Sequence, residues 1–191
     1  MNSAVYFLLL MLPLISAQIT RWGPCPTPRL QPNFNLERYL GKWYEIEKIP
    51  TFFAQGKCDE VNYSLRNNDT IKVVNSQMFQ GNYRYIEGTA VIQNTRQPAK
   101  LGISFSNFTP YSTYWIVSTD YTSVAIVYSC TDILHLFNYQ YVWIYGRSRS
   151  LPAMKINNAK KMLRKEGINV SKMKRTDQNC NTDQADRVAF C

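Results

Sequence analysis

From residue 57 onward, apolar and polar residues alternate in short runs separated by polar turns, the pattern of half-buried β-strands. The runs predict strands over about 57–66, 70–79, 83–93, 101–107, 113–119, 124–129 and 139–146. Turn chemistry falls between them at Asn67-Asn68-Asp69, Gln80-Gly81-Asn82, Gln97-Pro98 and Asp120. An eighth run begins at Trp43 and alternates up to Pro50. It puts Trp43, Glu45, Glu47 and Ile49 on one side and Tyr44, Ile46 and Lys48 on the other. Just before it, residues from Asn35 read as a short helical turn, with Asn35 a candidate cap and Gly41 the break. Eight strands without intervening helices predict an all-β sandwich or up-and-down barrel. An eight-stranded barrel has room for one small ligand where its inner side chains permit.

One helix follows the strands. Ser150 is a candidate cap, Pro152 suits a first turn and Gly167 a stop. Ile156, Ala159 and Leu163 share one face, and Lys155, Lys160, Arg164 and Lys165 cover the rest, so the helix should lie outside the sheet. A short strand is expected near Asn169 to Met173, then a polar tail to Cys191. The four prolines between Trp22 and Pro32 predict an extended arm, not a strand. No internal repeat divides the chain, and 191 residues suit one buried core.

Composition changes the picture mainly through compartment. Ala4 to Ile15 is an apolar run too short for a comfortable membrane span, and Ser16-Ala17 supplies small residues for cleavage. Residues 1–17 are therefore expected to be a signal peptide cut before Gln18, leaving 18–191 as one secreted, extracellular domain. There the five cysteines should form disulfides; two bridges and one spare Cys allow 15 arrangements, and spacing does not choose among them. With no Cys-x-x-Cys and only His135, zinc and redox-pair chemistry are excluded, and no metal or cofactor is expected. The net charge of +9 rests largely on Lys155, Lys160, Lys161, Arg164, Lys165, Lys172, Lys174 and Arg175. Such a face suits a solvated helix or an anionic membrane, and secretion argues against nucleic acid. No Gly-x-Ser-x-Gly elbow, phosphate loop or paired carboxylates point to an enzyme.

The candidate site is aromatic. In Tyr139-Gln140-Tyr141-Val142-Trp143-Ile144-Tyr145 every second residue carries a ring, so Tyr139, Tyr141, Trp143 and Tyr145 share a face. Asn62-Tyr63-Ser64 is a glycosylation sequon, which turns Asn62 to solvent and Tyr63 inward with Val61 and Leu65. If the ring face is also inward, it lines a cavity with apolar area and hydroxyl rims, suited to a steroid, a fatty acid or a tetrapyrrole. The alternative is a solid aromatic core, in a secreted β-protein acting through its surface or as an inhibitor. Asn68 begins a second sequon, and Asn107 and Asn169 begin two more, the first followed by Pro110.

Three ordered motifs are similar to the signatures of the lipocalin family: Gly41-Lys42-Trp43, Thr119-Asp120-Tyr121, and Arg147 just after the aromatic strand. Further matching segments are Trp43 to Pro50, Asn62 to Leu65, Pro98 to Leu101, Tyr114 to Ile116, Val127 to Cys130 and Thr176 to Gln178. The resemblance implies an eight-stranded antiparallel barrel with one C-terminal helix packed outside. It also implies that Gly41, Trp43, Thr119, Asp120, Tyr121 and Arg147 close one end, with Arg147 over the Trp43 ring. It implies bridges Cys25–Cys130 and Cys58–Cys180, and a carrier role for a small hydrophobic ligand such as arachidonate, progesterone or a tetrapyrrole. Lipid transport and protection against lipid peroxidation come with it. The chain departs from the family members it most resembles in these motifs in lacking a sequon at Asn94, in having Asp132 in place of a Cys, and in the extra Cys191. Cys191 leaves two states open, a monomer or a disulfide-linked dimer or heterodimer.

If Thr119-Asp120-Tyr121 marks the closed end, alternate loops gather at the mouth. These carry Phe52 and Phe53, the turn after Phe79, Phe108 to Tyr111, and Ile133 to Phe137. Phe52, Phe53, Phe108, Leu136 and Phe137 then form an apolar rim, either folded inward as a lid or exposed for contact with a lipoprotein or membrane surface.

Overall fold

The computed structural model describes residues 20–51, 54–66, 70–106 and 108–180. The alternating runs form β2 (Gly41–Lys48), β3 (Lys57–Leu65), β4 (Ile71–Phe79), β5 (Asn82–Ile92), β6 (Lys100–Ser104), β7 (Ser112–Thr119), β8 (Val124–Ile133) and β9 (Phe137–Gly146). Each pairs antiparallel with the next, and β9 returns to pair with β2, which closes the barrel. The β4–β5 turn is as tight as its sequence suggests, with Gln80 and Gly81 both at positive φ (52° and 78°). Two short strands extend the sheet: β1 (Thr20–Trp22) on β9 and β10 (Lys174–Arg175) on β2.

Two apolar clusters share the barrel wall. Inside lie Trp43, Val61, Tyr63, Ile71, Val73, Leu101, Tyr114, Ile116, Val127 and Tyr145. Outside, Ile46, Val117, Ile126, Val142 and Ile144 pack against Ile156, Ala159 and Leu163 of α2 (Ala153–Lys165). The helix therefore lies where its apolar stripe directs it, with Lys160 reaching Glu47 at 2.5 Å. Its first turn differs from expectation. Pro152 occupies the cap position with no side-chain hydrogen bond, so Ser150 does not cap it; Gly167, at φ +77°, does end it.

The alternation expected along β2 breaks midway. Glu45 pairs with Tyr145 but Glu47 pairs with Ile144, so Ile46 is an extra residue, a β-bulge. Beyond it the faces exchange. Glu47 turns out to the helix, and Lys48, opposite Trp143, turns in. At this point β2 and β3 have also parted, since their pairing covers only Gly41 to Tyr44. The C-terminal segment fills the gap. β10 lies where its backbone can pair with β2, and Cys58 N–H donates to Asp177 O at 2.8 Å. This also moves the late strand from the expected Asn169–Met173 to Lys174–Arg175.

The arm from Gly23 to Pro32 is extended as its prolines require, but Thr20–Trp22 ahead of it does pair with Asn138 and its neighbours. Asn138 holds the arm by donating to Gly23 O (2.8 Å) and Pro24 O (3.1 Å). Of the open disulfide arrangements the fold contains Cys25–Cys130 and Cys58–Cys180, which tie the arm and the tail to the barrel.

Candidate functional site

The closed end is built from α1 (Leu36–Tyr39) and three polar anchors. Asn35 Oδ1 accepts from Arg38 N–H at 2.9 Å, and Gly41 at φ +88° carries the chain from the helix into β2, a conformation an L side chain strains. Trp43 is fully buried, its indole N–H donating to Tyr39 O at 2.8 Å. Arg147 lies 3.8 Å over its ring. The guanidinium donates to Lys42 O (2.8 Å), Leu40 O (2.9 Å), Tyr121 O (3.0 Å), Arg38 O (3.1 Å) and Tyr39 O (3.2 Å). It therefore binds the carbonyl end of α1 to the β7–β8 turn. In that turn Asp120 Oδ1 accepts from Ser123 N–H (2.7 Å) and Val124 N–H (2.9 Å), and Thr119 Oγ1 accepts from Tyr121 N–H (2.9 Å). Partial burial pushes the Asp120 carboxyl up. The Ser123 hydroxyl and the Val124 and Ser123 amides outweigh that and hold it well below the usual carboxylate range. Tyr121 completes the cover, packing on Phe34 and accepting from Asn35 N–H at 3.0 Å.

Above this plug the lumen begins with a tyrosine floor. Register puts Tyr63, Tyr114 and Tyr145 on the inner face, joined by Tyr39 from α1. Tyr63 and Tyr114 share a 2.5 Å hydroxyl–hydroxyl bond, and the Tyr39 and Tyr63 rings are 5.3 Å apart. All four are buried, and burial pushes their hydroxyls up, that of Tyr114 to about 12. Tyr63 and Tyr145 thus belong to the packed floor.

Toward the mouth the inner face changes character. Tyr139, Tyr141 and Trp143 face inward with Tyr145 yet are only part buried. Trp143 stacks on Tyr141 at 6.0 Å and approaches Tyr114 at 5.9 Å. By register Asn75, Gln77, Ile86, Ser112 and Thr131 share this face and remain accessible, so the upper barrel is a space lined by rings and small polar groups. Val61 is inward and buried as expected; Leu65, at the closed-end margin, is half exposed instead. Asn62 faces solvent on the outer surface.

One wall of this space carries charge. Lys48 Nζ lies 2.8 Å from Glu45 Oε1 and 3.3 Å from Asp59 Oδ2, and all three residues are buried. Thr176 Oγ1 donates to Glu45 Oε1 at 2.5 Å, and Gln178 Nε2 bridges Glu45 O and Asp59 O. Burial raises the Glu45 carboxyl to about 7, against the pull of Lys48, and raises that of Asp59 for the same reason. This cluster was hidden in the sequence. Simple alternation sends Lys48 outward, and only the bulge at Ile46 reverses it. Tyr114 was also missed, although it sits at an alternating position in Tyr114-Trp115-Ile116. A separate surface groove of about 550 Å³, bounded by Ile46, Arg149, Arg175 and Gln178, lies on the outer side of the same wall.

At the mouth, Phe108 is 98 % exposed, Leu134 82 % and Leu136 56 %. Phe137 differs, being part buried with its ring 4.6 Å from Trp22 of β1. His135 is exposed, with its backbone N–H and ring bonded to the Asp132 carboxylate. Phe52, Phe53, Asn68, Asn107, residues 1–17 and Cys191 lie outside the described residues.

Residues 34–178 match the model of the family described as lipocalin-like domain. Apolipoprotein D of Cavia porcellus is 46% identical over 165 residues, covering 85% of this chain and 87% of that protein. Apolipoprotein D of Oryctolagus cuniculus is 45% identical over 182 residues, covering 91% and 96%. The bilin-binding protein of Pieris brassicae is 29% identical over 140 residues, covering 71% and 74%. Among solved structures, insecticyanin from the tobacco hornworm Manduca sexta superposes with a TM-score of 0.73 at 26% identity, covering 84% of this chain and 89% of that one. Barrel topology, closed-end clamp and these likenesses agree: the chain belongs to the lipocalin family and is similar to apolipoprotein D.

Proposed function

We propose that the protein is a secreted, non-enzymatic carrier that holds one small hydrophobic molecule in the upper half of the barrel. The observation that carries this reading is the part-buried, inward-facing pair Tyr141 and Trp143 above a fully packed floor. Rings that filled a solid core would be as buried as Tyr63 and Tyr114. The bilin-binding relative gives the reading a parallel. Tyr139, Tyr141 and Trp143 form the side wall for the ligand, and Tyr63 and Tyr145 support it from the floor. A flat or flexible apolar body with one polar end fits such a lining, which is the chemistry shared by fatty acids, steroids and tetrapyrroles. An acyl chain held there is shielded from aqueous oxidants, the form that protection against lipid peroxidation would take.

The test is a fluorescence titration of the secreted protein with progesterone, arachidonate and biliverdin, repeated on Trp143→Phe. Saturable quenching or a spectral shift in the native protein, lost in Trp143→Phe, is the expected result. No saturable signal with any member of the panel would refute the reading.

A second reading concerns the mouth. Phe108, Leu134 and Leu136 expose apolar side chains together on loops at the open end. They form a rim that docks on a lipid surface while ligand passes through the mouth. We assign secretion to cleavage after Ala17 and glycans to Asn62 and Asn68, with Cys191 left to pair with a second chain.

A further inference from the structure

Charged groups inside a lipid-binding barrel decide which polar end a ligand can bring with it. Below the rim, the described inward-facing residues of β2 to β9 include a single cation, Lys48. Arg84 also lies on the inner face by register, but it is exposed near the β4–β5 turn with its guanidinium 4.6 Å over Phe79. The Lys48 ammonium is already engaged by two carboxylates, Glu45 at 2.8 Å and Asp59 at 3.3 Å. With both ionised the cluster carries a net charge of −1; with one protonated it is neutral. Only with both protonated would it be positive, and at pH 7.4, above the Glu45 value of about 7, that state is not the one a ligand meets.

We propose, on the reading of the barrel as a lipid carrier, that the cavity selects uncharged amphiphiles (alcohols, ketones and esters) and discriminates against ionised carboxylates. Three features act together. The Glu45–Lys48–Asp59 cluster is closed on itself and anchored from the tail side by Thr176 and Gln178, so Lys48 cannot turn to a ligand without abandoning a buried carboxylate. A carboxylate taken into the lumen below the level of Arg84 loses its hydration and meets no cation but the engaged Lys48 among the described inner residues. The hydroxyls of the floor, with Tyr63 and Tyr114 joined at 2.5 Å, offer hydrogen bonds of a strength that suits a neutral hydroxyl or carbonyl.

The experiment compares ligands that differ only in the head group. Palmitic acid, palmityl alcohol and methyl palmitate are titrated at pH 7.4 against the secreted protein, with Trp143 fluorescence as readout and progesterone as an unrelated neutral ligand. The alcohol and ester should bind at least about tenfold more tightly than the acid, a difference of about 1.4 kcal/mol. Asp59→Asn and, separately, Glu45→Gln release part of the hold on Lys48. Each should shift the ratio of acid to alcohol affinity toward the acid by about tenfold or more.

The two possible failures are distinct. If no neutral ligand binds, the carrier reading itself fails. If the acid binds the native protein as tightly as the alcohol, the carrier stands and the selectivity is overturned. Loss of acid binding in Arg84→Gln would then show that the carboxylate stays at the mouth. The comparison on native protein decides the matter even if both wall variants fail to fold.

Discussion

Replacing Arg147 with Lys keeps a positive charge at the closed end and removes the shape that does the work. The planar guanidinium makes five carbonyl contacts between 2.8 and 3.2 Å while stacking at 3.8 Å on Trp43. Its Nη2 is shared among the carbonyls of Arg38, Tyr39 and Leu40, so the five contacts amount to fewer than five full bonds. A lysine ammonium can satisfy one or two carbonyls but cannot lie flat over the indole face. Water can rehydrate the more exposed carbonyls, which leaves the loss of about two charge-assisted bonds and the cation–π contact. At roughly 1–1.5 kcal/mol per bond after rehydration and about 1 kcal/mol for the stacking, the destabilisation should be about 3 kcal/mol. In a domain of this size that lowers Tm by roughly 6–12 °C. Urea denaturation of the oxidised protein followed by tryptophan fluorescence gives the free energy, and calorimetry gives Tm. Ligand affinity at 15 °C, where the variant is still folded, should change less than threefold, because the clamp lies beneath the tyrosine floor. A variant of native stability with strongly weakened binding would refute this division between clamp and cavity.

The buried wall predicts an unusual pH dependence. Because burial raises the Glu45 carboxyl from 4.5 to about 7, its contribution to stability is fully present below pH 4.5 and is lost as pH rises through 7. Asp59, raised for the same reason, acts in the same direction. Asp120, held low, has the opposite dependence and loses its contribution only in strong acid. Urea midpoints should therefore be higher at pH 5.5 than at pH 7.5, and Glu45→Gln should flatten the difference; an unchanged slope in that variant would sink the assignment. Asn62, exposed on the outer face opposite buried Tyr63, should carry a glycan, and peptide mass mapping that finds it bare would count against that proposal. At the mouth, changing Phe108, Leu134 and Leu136 together to Ser should abolish co-flotation with phosphatidylcholine liposomes, since burying each of three such residues contributes roughly 1.5–3 kcal/mol. Unchanged flotation of the folded variant would show that the rim does not dock.

What the residues determine alone is local and periodic. Strand positions followed from period-two alternation and the outer helix from the stripe Ile156, Ala159 and Leu163, because each of these signals spans only a few neighbouring positions; the closed end at Gly41, Trp43, Thr119, Asp120 and Arg147 was legible only through the family resemblance. The shared face of the four β9 rings was legible too, but alternation admits two directions and only the barrel register turns that face inward. Tertiary structure decided whatever depends on pairing between distant segments. Two disulfides were selected from many arrangements by the strands that bring Cys25 to Cys130 and Cys58 to Cys180. Tyr63 and Tyr145 became floor, and Tyr141 and Trp143 became wall, according to their height in the barrel, which no single strand records. Lys48 is the sharpest case. One extra residue at Ile46, imposed by the register between β2 and β9, reverses the face of everything after it and carries a lysine into the interior. The tail segment Lys174–Gln178 then holds its carboxylate partners in place across the gap between β2 and β3.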